Sequence, residues 1–117
     1  MNDEFKIKIV KVWGEEEILV SNELYAAKYM KLKQNYRCSI HMHKIKDETF
    51  KVLSGVVLLL HNDIETTLVK GMTVRIKPGE YHRFTGITNA VILEVSTQDT
   101  PEDSYRKTKS EKVPKNE

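Results

Sequence analysis

The chain holds 117 residues, 39% of them hydrophobic and 31% charged, with 19 Lys and Arg against 17 Asp and Glu for a formal net charge of +2. At roughly 100–150 residues per domain this length supports one hydrophobic core and excludes a second, so a functional site must lie inside that core or on its rim. Charges of both signs are interleaved along the body of the chain, which excludes a sequence-independent grip on nucleic acid, since that requires clustered Lys and Arg facing the phosphates.

The N-terminus opens Met1, Asn2, Asp3, Glu4, with no apolar core of signal-peptide length. The longest apolar run, Val56 to Leu60, falls far short of the roughly 20 residues of a membrane helix, so no membrane role is expected. Cys38 is the only cysteine and has no intramolecular partner, which points to a cytoplasmic protein rather than a disulfide-stapled one. Between Arg37 and Ser39, at the start of an alternating segment, it reads as a small strand residue and not as a redox thiol.

Short stretches rich in Val, Ile, Leu and Tyr recur with Gly, Asn, Asp or Pro between them, and helical periodicity is nearly absent. This is the pattern of an all-β sandwich or barrel of about ten strands. Phe5, Ile7 and Ile9 alternate with Lys6 and Lys8; Ala26, Lys28, Met30 and Leu32 alternate with Tyr29 and Lys31. Segments Cys38 to His43 and Thr49 to Leu53 follow, each with one face for a core. Val56 to Leu60 and Ile64 to Val69 flank His61, Asn62 and Asp63, a polar break suited to a hairpin. Thr73 to Ile76, Tyr81 to Thr85 and Ala90 to Thr97 complete the set, and Gly55, Gly71 and Gly79 sit where turns call for positive φ.

Residues 1–104 are thus expected to form a single domain. Residues 105–117 carry five basic and two acidic side chains, with Tyr105 and Val113 their only sizeable apolar groups. Such a segment buries too little surface to offset the entropy of ordering, and is expected to fray as a charged tail or lean on a neighbour.

Histidines stand out in this background. His41 and His43 are two apart, so on a strand both imidazoles project from one face, and Glu48 follows five residues later with space for a tight turn between. Pro78 and Gly79 then deliver His82 at the start of another strand, while Tyr81 points the other way and His61 falls in a turn outside the set. Three neutral imidazoles and one carboxylate suit a divalent first-row metal such as Zn, Mn, Fe, Ni or Co, with positions left open for water or substrate.

His41, Met42, His43, four residues, Glu48, six residues, Gly55 resembles the first motif of the cupin superfamily; Gly71, six residues, Pro78, Gly79, two residues, His82 resembles the second. Trp13, Gly14, Glu15, Lys28, Ser39, the run Ile92 to Ser96, Glu102, Asp103 and Arg106 extend the similarity over residues 12–106. They do so toward the cupin domain of type II mannose-6-phosphate isomerases and D-lyxose isomerase-like cupins. The resemblance implies a double-stranded antiparallel β-barrel, a jelly roll with a metal on its axis held by His41, His43, Glu48 and His82. It also implies aldose–ketose interconversion of a sugar or sugar phosphate through a metal-stabilised enediolate. A metal-dependent dioxygenase and a non-catalytic sugar-binding module are the alternatives.

Such a reaction needs a base. Glu94 is the first candidate, an ionisable residue inside the apolar run Val91 to Val95, where burial would raise its pKa toward the working range. Strand parity groups it with Ile92 and Ser96 against Leu93 and Val95, which leaves its face open. Lys28 is the second catalytic candidate and a substrate-binding one: it shares parity with Ala26, Met30 and Leu32, which predicts an inward ammonium needing an anionic partner, either a substrate phosphate or a carboxylate such as Glu94. Arg106, three residues after Asp103, is placed to reach a phosphate or close the barrel mouth, and also reads as the first charge of the tail. The alternating Phe5 to Ile9 segment offers an edge through which two copies would pair as a homodimer.

Overall fold

The computed structural model describes residues 7–116; of the expected first strand, Phe5 lies outside them. Thirteen strands are formed and, among the described residues, no helix, so no helix is long and apolar enough to cross a membrane. They are β1 (Ile7–Lys11), β2 (Gly14–Ser21), β3 (Tyr25–Leu32), β4 (Tyr36–Arg37), β5 (His41–Met42), β6 (Glu48–Ser54) and β7 (Val56–His61). The rest are β8 (Ile64–Val69), β9 (Thr73–Ile76), β10 (His82–Gly86), β11 (Ala90–Thr97), β12 (Tyr105–Arg106) and β13 (Glu111–Lys112).

Two antiparallel sheets enclose the interior. One runs β1-β2-β3-β11-β6-β9; the other runs β12-β5-β10-β4-β13, with β7 and β8 added alongside β10. Alternation on β3 is as expected: Ala26, Lys28, Met30 and Leu32 all face in, each no more than 9% exposed. The apolar interior is one cluster that includes Trp13, Met30, Leu32, Phe50, Val52, Val57, Leu59, Leu68, Ile76, Phe84 and Ile92. The β7–β8 hairpin closes between His61 and Ile64, with Asn62 at φ 50° and Asp63 at φ 67°. Both central residues in the left-handed region make the turn whose twist matches the flanking strands. At Gly55, φ is +81° and an added Cβ would meet the Asn89 carbonyl and come 2.8 Å from the Ala90 Cβ, so both conformation and space require glycine.

Three regions differ from expectation. Glu15, Glu16 and Glu17 lie in β2, a strand that their charge conceals; Glu16 and Glu17 are both buried, held by lysines on β3. The segment Cys38 to His43 is not one strand, because the Ser39 and Ile40 amides donate to the Ser110 and Thr108 hydroxyls and so leave the ladder. Those hydroxyls belong to the segment expected to fray, which instead runs along the barrel: β12 pairs with β5 and β13 with β4. Arg37 donates to Glu111 at 2.7 Å, Arg83 donates to Thr108 at 2.7 Å, and the Lys107 ammonium sits 3.9 Å above the Tyr81 ring. Polar and cationic contacts hold what apolar burial does not.

Candidate metal centre and its cavity

His41 on β5 and His82 on β10 face each other across the ladder, and His43 follows just after β5. Ring centroids are 4.4 Å apart for His41 and His82, 5.2 Å for His41 and His43, and 5.8 Å for His43 and His82. One ligand atom from each lies within 4.8 Å of the others, so the three histidines are positioned to bind a metal ion.

Their tautomers follow from their other contacts. The Nδ1 of His41 lies 2.8 Å from the Ser39 carbonyl, that of His43 2.6 Å from the Asp103 carbonyl, and that of His82 2.9 Å from the Glu80 carbonyl. A carbonyl only accepts, so each Nδ1 carries the proton and each Nε2 presents a lone pair, the arrangement that orients imidazoles as metal ligands. Burial and the His82 ring beside it push His41 down to about 3, and burial likewise lowers His43 against the pull of Glu48. Both stay neutral at physiological pH.

Glu48, the first residue of β6, lies against two of the rings: Oε1 is 3.5 Å from His43 Nε2 and Oε2 is 3.3 Å from His82 Nε2. Glu48 Oε2 and His82 Nε2 are buried and have no hydrogen-bond partner among the described residues. Either a proton shared between these two atoms or a metal ion beside them would satisfy both, and the donor set fits a divalent ion. Burial would raise the Glu48 carboxyl, but charge interactions, including that with the Lys46 ammonium 3.0 Å away, hold it well below the usual carboxylate range.

The centre lies in a cavity of about 380 Å³ that opens at one end of the barrel. Trp13, Met30, Phe50 and Phe84 make its apolar wall. Beside Met30 and Phe50, which pair with Glu16 and Glu94 in register, stands an ionic wall around two buried ammonium groups. Lys28 Nζ lies 3.0 Å from Glu16, 3.5 Å from Asp99 and 4.0 Å from Glu94; Lys46 Nζ lies 3.0 Å from Glu48, 3.1 Å from Asp99 and 3.2 Å from Glu94. Burial opposes the charge on both lysines, yet the surrounding carboxylates outweigh it and raise both pKa values. Glu94 goes the other way: burial drives its carboxyl up to about 7, with Glu48 adding to the rise and Lys28 and Lys46 restraining it.

Glu94 therefore faces inward, opposite Lys28 in the β11–β3 register. Lys28 finds its anionic partners in the protein. Arg106 lies on β12 at the rim, exposed, opposite His41 in register. His61 bonds Glu80 at 3.0 Å and does not line the cavity. Cys38 lines it, but burial pushes its thiol up to about 11, so the residue packs and does not react. Glu16, Lys46 and Asp99 carry no periodic or spacing signal in the sequence. Asp103 explains how Lys46 is held: its carboxylate accepts from the Lys44, Ile45 and Lys46 amides at 2.8, 3.1 and 3.0 Å, fixing the turn between His43 and Glu48.

A family model for the C-terminal region of mannose-6-phosphate isomerase matches residues 2–105. Among solved structures, an RmlC-like cupin from Shewanella frigidimarina superposes with a TM-score of 0.78 at 13% identity, covering 87% of this chain and 92% of that one. A variant of Streptomyces Pac13 with uridine gives 0.80 at 11% identity, covering 98% and 92%. The capsular polysaccharide assembling protein CapF from Staphylococcus aureus gives 0.75 at 23% identity, covering 86% of this chain but 34% of CapF. At these identities the likeness is one of fold. No curated protein matches the chain in sequence.

Proposed function

The chain belongs to the mannose-6-phosphate isomerase C-terminal family, a cupin barrel, and from that premise we propose that it is a metal-dependent aldose–ketose isomerase acting on a small sugar. The observation that carries this reading is Glu94: a carboxyl 4% exposed, lining the same cavity as three convergent imidazoles, with its pKa near the operating pH. His41, His43 and His82 would hold the metal, with Glu48 as a fourth ligand through Oε2. A divalent ion there would supply Lewis-acid polarisation of a substrate carbonyl.

Glu94 takes the proton from the carbon beside the carbonyl and returns it to the former carbonyl carbon, while the hydroxyl proton passes from its oxygen to the former carbonyl oxygen, so that no net proton is gained or lost. A base is most effective when its pKa lies near ambient pH, and burial gives Glu94 that value. Lys28 and Lys46 limit the rise and fix the two carboxyl oxygens in direction. Trp13, Phe50 and Phe84 keep bulk water from one side of the reacting carbons, and Arg106 donates to substrate hydroxyls at the rim. The exposed edge strand β1 would pair two copies as a homodimer, for which light scattering at micromolar concentration is the check.

The test is solvent exchange. Metal-loaded protein incubated in D2O with a panel of aldoses, ketoses and their phosphates is expected to interconvert at least one pair and place deuterium on the exchanging carbon. The Glu94→Gln protein should lose both and keep its metal. Absence of exchange with every sugar, or a Glu94→Gln protein as fast as the parent, would sink the proposal. One observation favours a second reading, a sugar-binding module without turnover: Glu94 is already engaged by two ammonium groups. Binding without exchange is its signature.

A further inference from the structure

We infer that the cavity takes the uncharged sugar and discriminates against its phosphate. This deepens the isomerase reading and rests on it for the nature of the substrate, but it is a statement about binding.

The two cations on the ionic wall are already spent on carboxylates. An ammonium group has three protons to donate. Lys46 has three carboxylate oxygens within 3.2 Å, and Lys28 has three within 4.0 Å. A phosphate could reach either only by displacing a carboxylate, which would then be left buried without its counter-ion. Four carboxylates, Glu16, Glu48, Glu94 and Asp99, face those two ammonium groups, so neither ammonium group is left over for a phosphate. At the rim, Arg106 is exposed, and Lys11, 3.9 Å from Glu16, has a side chain 36% exposed; cations facing water hold a phosphate weakly.

The same wall suits hydroxyls. Carboxylate oxygens keep lone pairs beyond those the lysines use, and Glu16 and Asp99 line the cavity as acceptors for O–H donors. Lining the same cavity, Trp13, Phe50 and Phe84 offer apolar surface to the C–H face of a sugar ring or chain. Acceptors, adjoining apolar surface and a cavity of about 380 Å³ describe a monosaccharide-sized polyol site.

Calorimetric titration of the full chain, loaded with Mn2+ and separately with Zn2+, tests this with D-mannose, D-fructose, their 6-phosphates and inorganic phosphate. The free sugars are expected to bind at least about 10-fold more tightly than the 6-phosphates, and inorganic phosphate to give no saturable heat. Glu16→Gln frees Lys28 from its nearest carboxylate and should move the ratio toward the phosphates by about 10-fold; Asp99→Asn, at a half-exposed position, should move it the same way. Phosphates binding as tightly as free sugars, a ratio unmoved in both variants, or no binding of either class overturns the inference. Free-sugar binding without deuterium exchange would remove the isomerase reading and leave the preference standing; conversion of a 6-phosphate alone would do the reverse.

Discussion

Replacing Glu94 with glutamine is expected to make the metal-free protein more stable at pH 8 while removing its proposed base. Glu94 is 4% exposed and its carboxyl titrates at about 7, against 4.5 for an unperturbed glutamate. The folded state therefore holds this proton more tightly than the unfolded chain does. Stability from the neutral carboxyl is complete below about pH 4.5 and is lost as pH rises through about 7, levelling off above it. At 1.36 kcal/mol per pKa unit, the loss is about 3 kcal/mol. Glutamine fixes the side chain in a neutral form of nearly the same shape, and Lys28 and Lys46 retain Glu16, Glu48 and Asp99 as partners. Urea unfolding of both proteins in chelator at pH 4.5, 6 and 8 should give similar stability at the lowest pH and a gap in favour of Glu94→Gln that grows to about 3 kcal/mol at the highest. The difference between the two proteins cancels the groups that do not interact with Glu94, including His41, whose neutral form fails only in acid. Parallel pH profiles, or a variant less stable than the parent at pH 8, would refute the claim that burial sets this carboxyl.

Saturating divalent metal should raise the melting temperature by an amount equivalent to about 4 kcal/mol at a free concentration 1,000 times the dissociation constant, and His82→Ala should show no such response in the same thermal scan. Asp103→Ala removes the acceptor for three amides and should cost about 2–3 kcal/mol in denaturant unfolding, with Asp103→Asn recovering part of the loss. A chain ending at Ser104 loses β12, β13 and the Thr108 and Ser110 hydroxyls that satisfy the Ile40 and Ser39 amides, and should be destabilised by at least about 3 kcal/mol, with slower or absent metal uptake measured by atomic absorption.

What the sequence disclosed, it disclosed through periodicity and spacing. The inward face of β3 is plain because Lys28 is the only polar member of its parity set. The meeting of His41, His43 and His82 is readable because an i, i+2 pair and a turn-delivered histidine leave few other geometries. Glu94 was ambiguous because strand parity defines two faces but not which is inside; that depends on cross-strand register, which places Glu94 opposite Lys28 and Phe50, and register is a tertiary quantity. The strand β2 was hidden for a related reason: a run of three glutamates reads as solvated surface unless the lysines that neutralise it are known to lie on the adjacent strand. Lys46 lies in an aperiodic turn, and the final segment gains its order from hydroxyl and guanidinium partners far away in sequence, so neither leaves a local trace.

Register also explains how one small barrel accommodates both a core and a site. Across β3, β11 and β6 the inward residues form rows: Ala26, Ser96 and Glu48; then Lys28, Glu94 and Phe50; then Met30, Ile92 and Val52; with Leu32 and Ala90 in a fourth. Polarity falls along the barrel axis from the first row to the last, so the apolar end supplies the burial that stabilises the fold and the ionic end remains where ligand and solvent enter. Rows of leucine or valine in place of Lys28 and Glu94 would be at least as stable, since buried ion pairs rarely outperform well-packed apolar side chains. The ionic rows nevertheless set four carboxylates against two buried ammonium groups, and burial of Glu94 keeps part of that excess protonated near neutral pH. The histidine cluster lies beside them and Glu48 touches both, so metal binding at the histidines and the stability of the surrounding wall are expected to be linked through the same carboxylates.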